Sequence, residues 1–441
     1  MIRRRRLLQA STALLAAPAI VARANAQSKF DWQQFKGQHI EVNYQLSPRG
    51  DVAKANMKKF EELTGISVGF EQIPEQQQRP KVAMEMATGH PSFDVVNVGM
   101  HVQKRLIEKA KWMIDLHPLI ADGTLTNPDF DLADFSKPSM EVATGADGKL
   151  NVLPLNQDLF ILFWNKALFA QKGLKGPPQT LDEMMTMAHQ LTDTSKGVYG
   201  FVGRGLKNAN MVLFDDILLK WDQATVTADG KTLLTDTPAA IEAGKWYQTI
   251  MRECAPPGVI GYNWNECQTS FMQGKIGMWM DGVGFAPPLL DPKVSKITDH
   301  VGFGVMPAGP KAHNCPVFTD AIGIPAKSKA KEAAYIYCQW ATGKQMALNL
   351  VNMGGGASPR QSTYKDPTLM ANNPFGQEWL STLLTSLTIA RAGLPEIVPV
   401  TEFRDVFGIA LTNMISGADP ATELKKATAT FTPILEQSLK T

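Results

Sequence analysis

The chain predicts an α/β protein of two lobes, and three observations carry that expectation. Strand-like and helical segments alternate from Ile40 to Val98, and the alternation restarts after Pro154. The 441-residue length suits two bodies of roughly 100–200 residues each. No sequence repeat, low-complexity tract or long linker interrupts the pattern.

Residues 40–45 read as a first strand, followed by a helix over 51–63 with Ala53, Met57, Phe60 and Leu63 on one side and Gly65 as its stop. Ile66, Val68 and Phe70 alternate as a second strand. A helix ending at Thr88–Gly89 precedes a third strand over 93–98. Parallel strands follow from this βαβ order. From Asp147-Gly148 the chain passes through Leu153-Pro154 into the polar triplet Asn156-Gln157-Asp158, then into an apolar run from Leu159 to Trp164 that reads as a buried strand. Pro177-Pro178 leads to Thr180 and Glu183, a capping box in which Thr180 serves the Glu183 N–H and Glu183 reaches back. Leu181, Met184, Met185, Ala188 and Leu191 then recur at helical spacing.

Residues 1–26 combine an arginine cluster (Arg3 to Arg6), an apolar stretch from Leu7 to Val21 and Ala24-Asn25-Ala26. This is the pattern of an export signal cleaved near Ala26, of either the general or the twin-arginine type. The apolar stretch is too short and too interrupted to span a membrane, and no cysteine at the cleavage point offers a lipid anchor. Removal of this segment takes away five arginines and no acids, so the formal charge moves from +2 to −3. No basic stripe of the kind nucleic-acid binding requires is present. The four cysteines show no CxxC spacing, and the seven histidines form no ligand pattern, so neither metal nor cofactor is expected. In an oxidising compartment Cys254 and Cys267 can close a short loop; a buried free thiol is the alternative for each cysteine.

Several segments carry a family resemblance. They are Phe60 to Val68, Ala87-Thr88-Gly89 with Asp94-Val95-Val96, the stretch from Asp147 to Glu183, Phe271 to Met278 (a Phe-x-x-Gly-Lys-x-x-Met pattern), Ile324 to Lys329, and Ser358 to Ser362. In this order they resemble the extracellular solute-binding proteins of bacterial sugar ABC importers, with Trp164 where that family usually has Tyr. The resemblance implies the type II periplasmic-binding-protein architecture: two α/β lobes, a multi-crossing hinge and a ligand cleft between them. It places one lobe at residues 27–155 and 308–343 and the other at 156–307 and 344–441, with crossings near 153–156, 306–310 and 341–344. It further implies a periplasmic monomer that passes a sugar or polyol to ABC permease subunits in the inner membrane. The segment from Gly355 to Ser362 and Tyr364-Lys365-Asp366-Pro367 look like the branch that includes sugar-alcohol and monosaccharide receptors.

Candidate ligand contacts follow from that architecture and from the chemistry of hydroxylated solutes, which need fixed polar groups beside apolar surface. Asp158 heads them, just past the first crossing, with Asn156 beside it. Asn97 and His101 follow the third strand, where α/β sheets open a crevice. Trp279 and Asp281 end the next motif, an aromatic next to a carboxylate. Asp320 is expected to enter a strand over 321–324 from a loop, and Gly355 to let backbone approach ligand or hinge. Trp221, Trp264 and Arg391 are reserves, and Arg360 reads as structural.

The competing readings are an exported carbohydrate-active hydrolase and a sugar-sensing receptor subunit. Against catalysis, Asp215-Asp216 and Asp182-Glu183 are adjacent in sequence rather than flanking a substrate bond. HExxH, GxSxG and P-loop motifs do not occur. Ser328-Lys329-Ala330-Lys331 matches S-x-x-K without its partner motifs, and Ser328 reads instead as a helix cap.

Overall fold

The computed structural model describes residues 30–440; the expected export signal lies outside the described residues. Nine strands are present among them: β1 (His39–Gln45), β2 (Ser67–Ile73), β3 (Val95–Gly99), β4 (Leu153–Asn165), β5 (Tyr199–Val202), β6 (Ile276–Gly282), β7 (Val301–Gly304), β8 (Cys315–Gly323) and β9 (Ala390–Ala392). Their order is β2-β1-β3-β8-β4-β6-β5, with β7 on β4 and β9 on β8. The β1–β2, β1–β3, β5–β6 and β8–β9 pairs are parallel and the others antiparallel.

The first βαβ unit forms as its sequence dictates. The helix Pro48–Thr64 starts three residues earlier than its apolar spacing suggests, because Pro48 occupies the first turn and the Ser47 hydroxyl accepts from Gly50 N. It stops at Gly65, in the left-handed region at φ 70°. The next helix, Glu75–Thr88, stops at Gly89 in the same way. At Thr180 the cap is half the expected one. The Thr180 hydroxyl accepts from Glu183 N at 3.2 Å, whereas the Glu183 carboxylate accepts from Gln179 N at 2.7 Å. Ser328 is not a helix cap. It donates to Asp94 Oδ1 at 2.7 Å and accepts from Ala330 N, and the helix Lys331–Ala341 begins only at the next residue, with Ala330 in the cap position.

Two hydrophobic cores share the sheet. The smaller gathers β1, β3, the start of β4 and the helix Lys331–Ala341; the larger gathers the rest of β4, β5–β7 and the C-terminal helices. Core membership changes along β4 between Leu155 and Leu159. Along β8 it changes between Phe318 and Ala321, well past the expected crossing at 306–310. It changes a third time between Ala341 and Val351. The 13-residue β4 is the reason two cores fit one sheet. Its first half pairs with β8 and its second half with β6 and β7, so the polar triplet lies within the ladder, ahead of the expected strand start at Leu159. Asp320 likewise lies inside β8, opposite Asn156. All four cysteines are free and buried, so Cys254 and Cys267 take the thiol alternative.

Candidate functional site

A cavity of about 60 Å³ lies where the two cores face each other across β4 and β8. Elements around the smaller core supply Gln45, Arg49, Glu75, Arg79 and His101. The shared strands supply Asp158, Phe160, Phe318 and Asp320, and elements around the larger core supply Arg204, Trp264, Phe285 and Arg404. Arg49 reaches the site because Pro48 starts its helix directly after β1, at the sheet's carboxyl edge.

The charges are arranged in a chain. Arg49 pairs with Asp320 at 3.0 Å. Arg79 pairs with Glu75 at 2.5 Å, and Arg404 approaches the same carboxylate at 3.9 Å from the opposite core. Arg204 donates two hydrogen bonds to Asp281, at 2.9 and 2.5 Å, a bidentate fork of the strong kind. Four arginines thus face four carboxylates (Glu75, Asp158, Asp281 and Asp320), and the ionised set sums to zero.

Neutrality does not mean saturation. Among the described residues, the buried Gln45 Nε2, Arg49 Nε, Arg79 Nε, His101 Nδ1, Asp158 Oδ1 and Asp320 Oδ1 have no hydrogen-bond partner. Buried polar atoms are ordinarily paired, so such a concentration marks a place where a guest completes the network. Donors and acceptors are both represented, as a hydroxyl requires.

Burial pushes the Asp158 carboxyl up to about 6, against the pull of Arg49 and with reinforcement from Asp281 and Asp320. Burial likewise raises Asp320, offset by Arg49 and Arg79. Glu75 goes the other way: burial raises it, but Arg79, Arg404 and Arg204 together hold it at about 2. Burial and the neighbouring Arg79 and Arg404 keep His101 well below its ordinary value, hence neutral at pH 7. Burial, then Arg79, bring Arg404 down to about 9, still charged at pH 7.

These values fix signs. A carboxyl raised when folded contributes stability that is lost as pH rises through about 6, whereas a histidine held neutral costs stability as pH falls below 6.5. The two oppose each other in stability but not in ligand affinity. Only ionised Asp158 accepts hydroxyl donors through charge-assisted bonds, so affinity is expected to fall by up to about tenfold between pH 7 and pH 5. Calorimetry across that range checks this, and Asp158→Asn should flatten the profile; a flat wild-type profile excludes Asp158 as the titrating acceptor.

Of the residues singled out in the sequence, Asp158, His101, Asp320 and the reserve Trp264 come together around the cavity. Asp281 is wholly buried behind them and acts on Arg204. Asn156 is buried beside Asp320, with both amide atoms unpartnered among the described residues. Asn97 lies in β3, where its amide donates to Ala321 O at 3.1 Å. Trp279 belongs to the core, stacked on Phe163 at 4.8 Å. Gly355 packs against buried side chains rather than the cleft: a Cβ on it would lie 2.7 Å from Leu350 and 2.9 Å from Val52. Arg360 is structural, donating to the carbonyls of Thr342, Asp131 and Phe130. The sequence reading missed Gln45, Arg49, Glu75, Arg79, Arg204 and Arg404. The strand-end rule applied to β1 would have found Gln45 and Arg49; Arg404, in the distant helix Val400–Ile415, has no local signal.

The chain is similar to known proteins along most of its length. The erythritol/L-threitol-binding protein of Mycolicibacterium smegmatis is 25% identical over 420 residues, covering 91% of this chain and 87% of the relative. The mannitol-binding protein of Pseudomonas aeruginosa is 26% identical, covering 84% and 88%. The crystal structure of an ABC transporter solute-binding protein from Agrobacterium vitis S4 with bound D-mannitol superposes with a TM-score of 0.77 at 26% identity, covering 91% and 98%. Its overlap confirms the type II periplasmic-binding-protein fold. The profile of the bacterial extracellular solute-binding proteins matches residues 44–347, and the chain belongs to that family.

Proposed function

We propose that this protein is the periplasmic receptor of an ABC importer, which binds a sugar alcohol in the cleft and delivers it unaltered to the membrane permease. The observation that carries the reading is the neutral but unsaturated cleft: balanced charge disfavours an ionic guest, and the orphaned donors and acceptors suit a string of hydroxyls. Relatives that bind erythritol, L-threitol and mannitol support it.

Two details favour an acyclic polyol over a sugar ring. The Arg204 guanidinium sits 5.9 Å from the Phe160 ring and 5.8 Å from Phe285, so these faces already carry a cation. Trp264 stacks on Phe285 at 4.9 Å.

The lobes are the bodies around the two cores, and closure about β4, β8 and the 341–351 segment brings Arg404 to Glu75. A signal cleaved near Ala26 would deliver the chain to the periplasm. Calorimetry and thermal melting with D-mannitol, ribitol, erythritol, maltose and leucine test the reading. At least one polyol should bind with a Kd near micromolar and, at a hundredfold excess over Kd, stabilise the fold by about 2.7 kcal/mol. Binding of maltose or leucine alone overturns it, as does chemical conversion of the polyol.

A further inference from the structure

Behind the strand pair that floors the cleft lies a second and larger cavity, of about 650 Å³. Strand alternation creates it. Asp158 and Phe160 of β4 and Phe318 and Asp320 of β8 face the cleft, while the intervening Gln157, Val317 and Thr319 face the opposite way.

Gln157 and Thr319 are direct partners across the ladder, and they are 7% and 5% exposed. Neither side chain has a hydrogen-bond partner among the described residues, although both line the cavity. Elsewhere the wall is largely apolar, with Met100, Val142, Leu387 and Leu394 contributing. Its charged groups are already engaged. Arg360 donates to backbone carbonyls and to Asp134, and Lys104 pairs with Glu396 at 3.2 Å. The Tyr364 hydroxyl accepts from Ser358 N at 2.8 Å. A volume within the usual ligand range, apolar walls and one pair of convergent unpaired polar groups are the attributes of a small-molecule site.

We propose that this rear cavity is a second binding site, for a neutral, mainly apolar molecule with one hydroxyl or amide end that Gln157 and Thr319 hydrogen-bond. The inference is independent of the polyol reading, since Gln157 and Thr319 do not line the cleft, although His101 borders both cavities.

Fluorescence titration of the mature protein with 2-naphthol tests it, with 2-naphthalenesulfonate as the charged control and saturating D-mannitol as competitor. Naphthol should bind once per chain, resist displacement by mannitol and bind more tightly than the sulfonate. Thr319→Val, close in shape, should weaken it by roughly tenfold. Ala392→Trp, on the exposed end of β9 where that residue lines the cavity, should block it. Mannitol affinity of Ala392→Trp should stay within about twofold of the parent. Absent binding, displacement by mannitol, or undiminished binding to Ala392→Trp overturns the proposal. If mannitol itself fails to bind, the naphthol titrations of the parent and the two variants still decide the rear site alone.

Discussion

Asp158→Ala is expected to weaken polyol binding about a hundredfold, roughly 2.7 kcal/mol. Two effects add. The side chain offers charge-assisted acceptance, each such bond contributing about 1.5–3 kcal/mol. Its removal also leaves four arginines facing three carboxylates in a closed space. The folded protein itself should lose little, because burial already disfavours this carboxylate and one of its oxygens is unpartnered among the described residues. Calorimetry on the variant beside a thermal melt separates the two quantities. Affinity within threefold of the parent would remove Asp158 from the site.

Lys220→Met should have the largest effect on stability. Lys220 and Asp216 are both 0% exposed and pair at 2.5 Å, with the ammonium also donating to Asn314 O at 2.9 Å. Burial raises Asp216, offset by Lys220, and it raises Asp215 well above its usual range, with the Asp216 charge adding to the effect. Methionine keeps the length of the stem and deletes the ammonium with its hydrogen bonds, so Asn314 O loses a donor and Asp216 is left ionised without its partner or must take up a proton. Breaking a buried pair from one side costs about 3–5 kcal/mol, which for a chain of this length is a fall of about 4–6 °C in melting temperature. The double variant Lys220→Met with Asp216→Leu should recover most of it, since an apolar pair can replace a buried ionic one. A single variant that melts within about 2 °C of the parent would show the pair to be energetically idle.

Much of the fold is legible in the sequence because its signals are local. The strands are dense in Val, Ile and Phe, and Gly65 and Gly89 end helices by geometry that few other residues tolerate. The site is only partly legible. Asp158, His101 and Asp320 follow from their places near strand ends and crossings. Trp279 does not, because every residue of β6 is buried and alternation no longer tells cleft from core. The arginines are hidden for another reason. Arg204 stands between glycines and Arg404 on the buried face of a half-buried helix, and only tertiary folding brings both to Glu75. Starting the buried strand at Leu159, after the triplet, also concealed that β4 serves both cores.

That shared strand constrains how the protein can diversify. Neighbouring positions of the triplet open onto different compartments, so a single inserted or deleted codon between 156 and 159 would exchange their contents, aiming Gln157 forward and Asp158 backward. Lengthening is tolerable in the surface connections, but along this stretch a lineage can explore new cargo only by replacing one side chain with another.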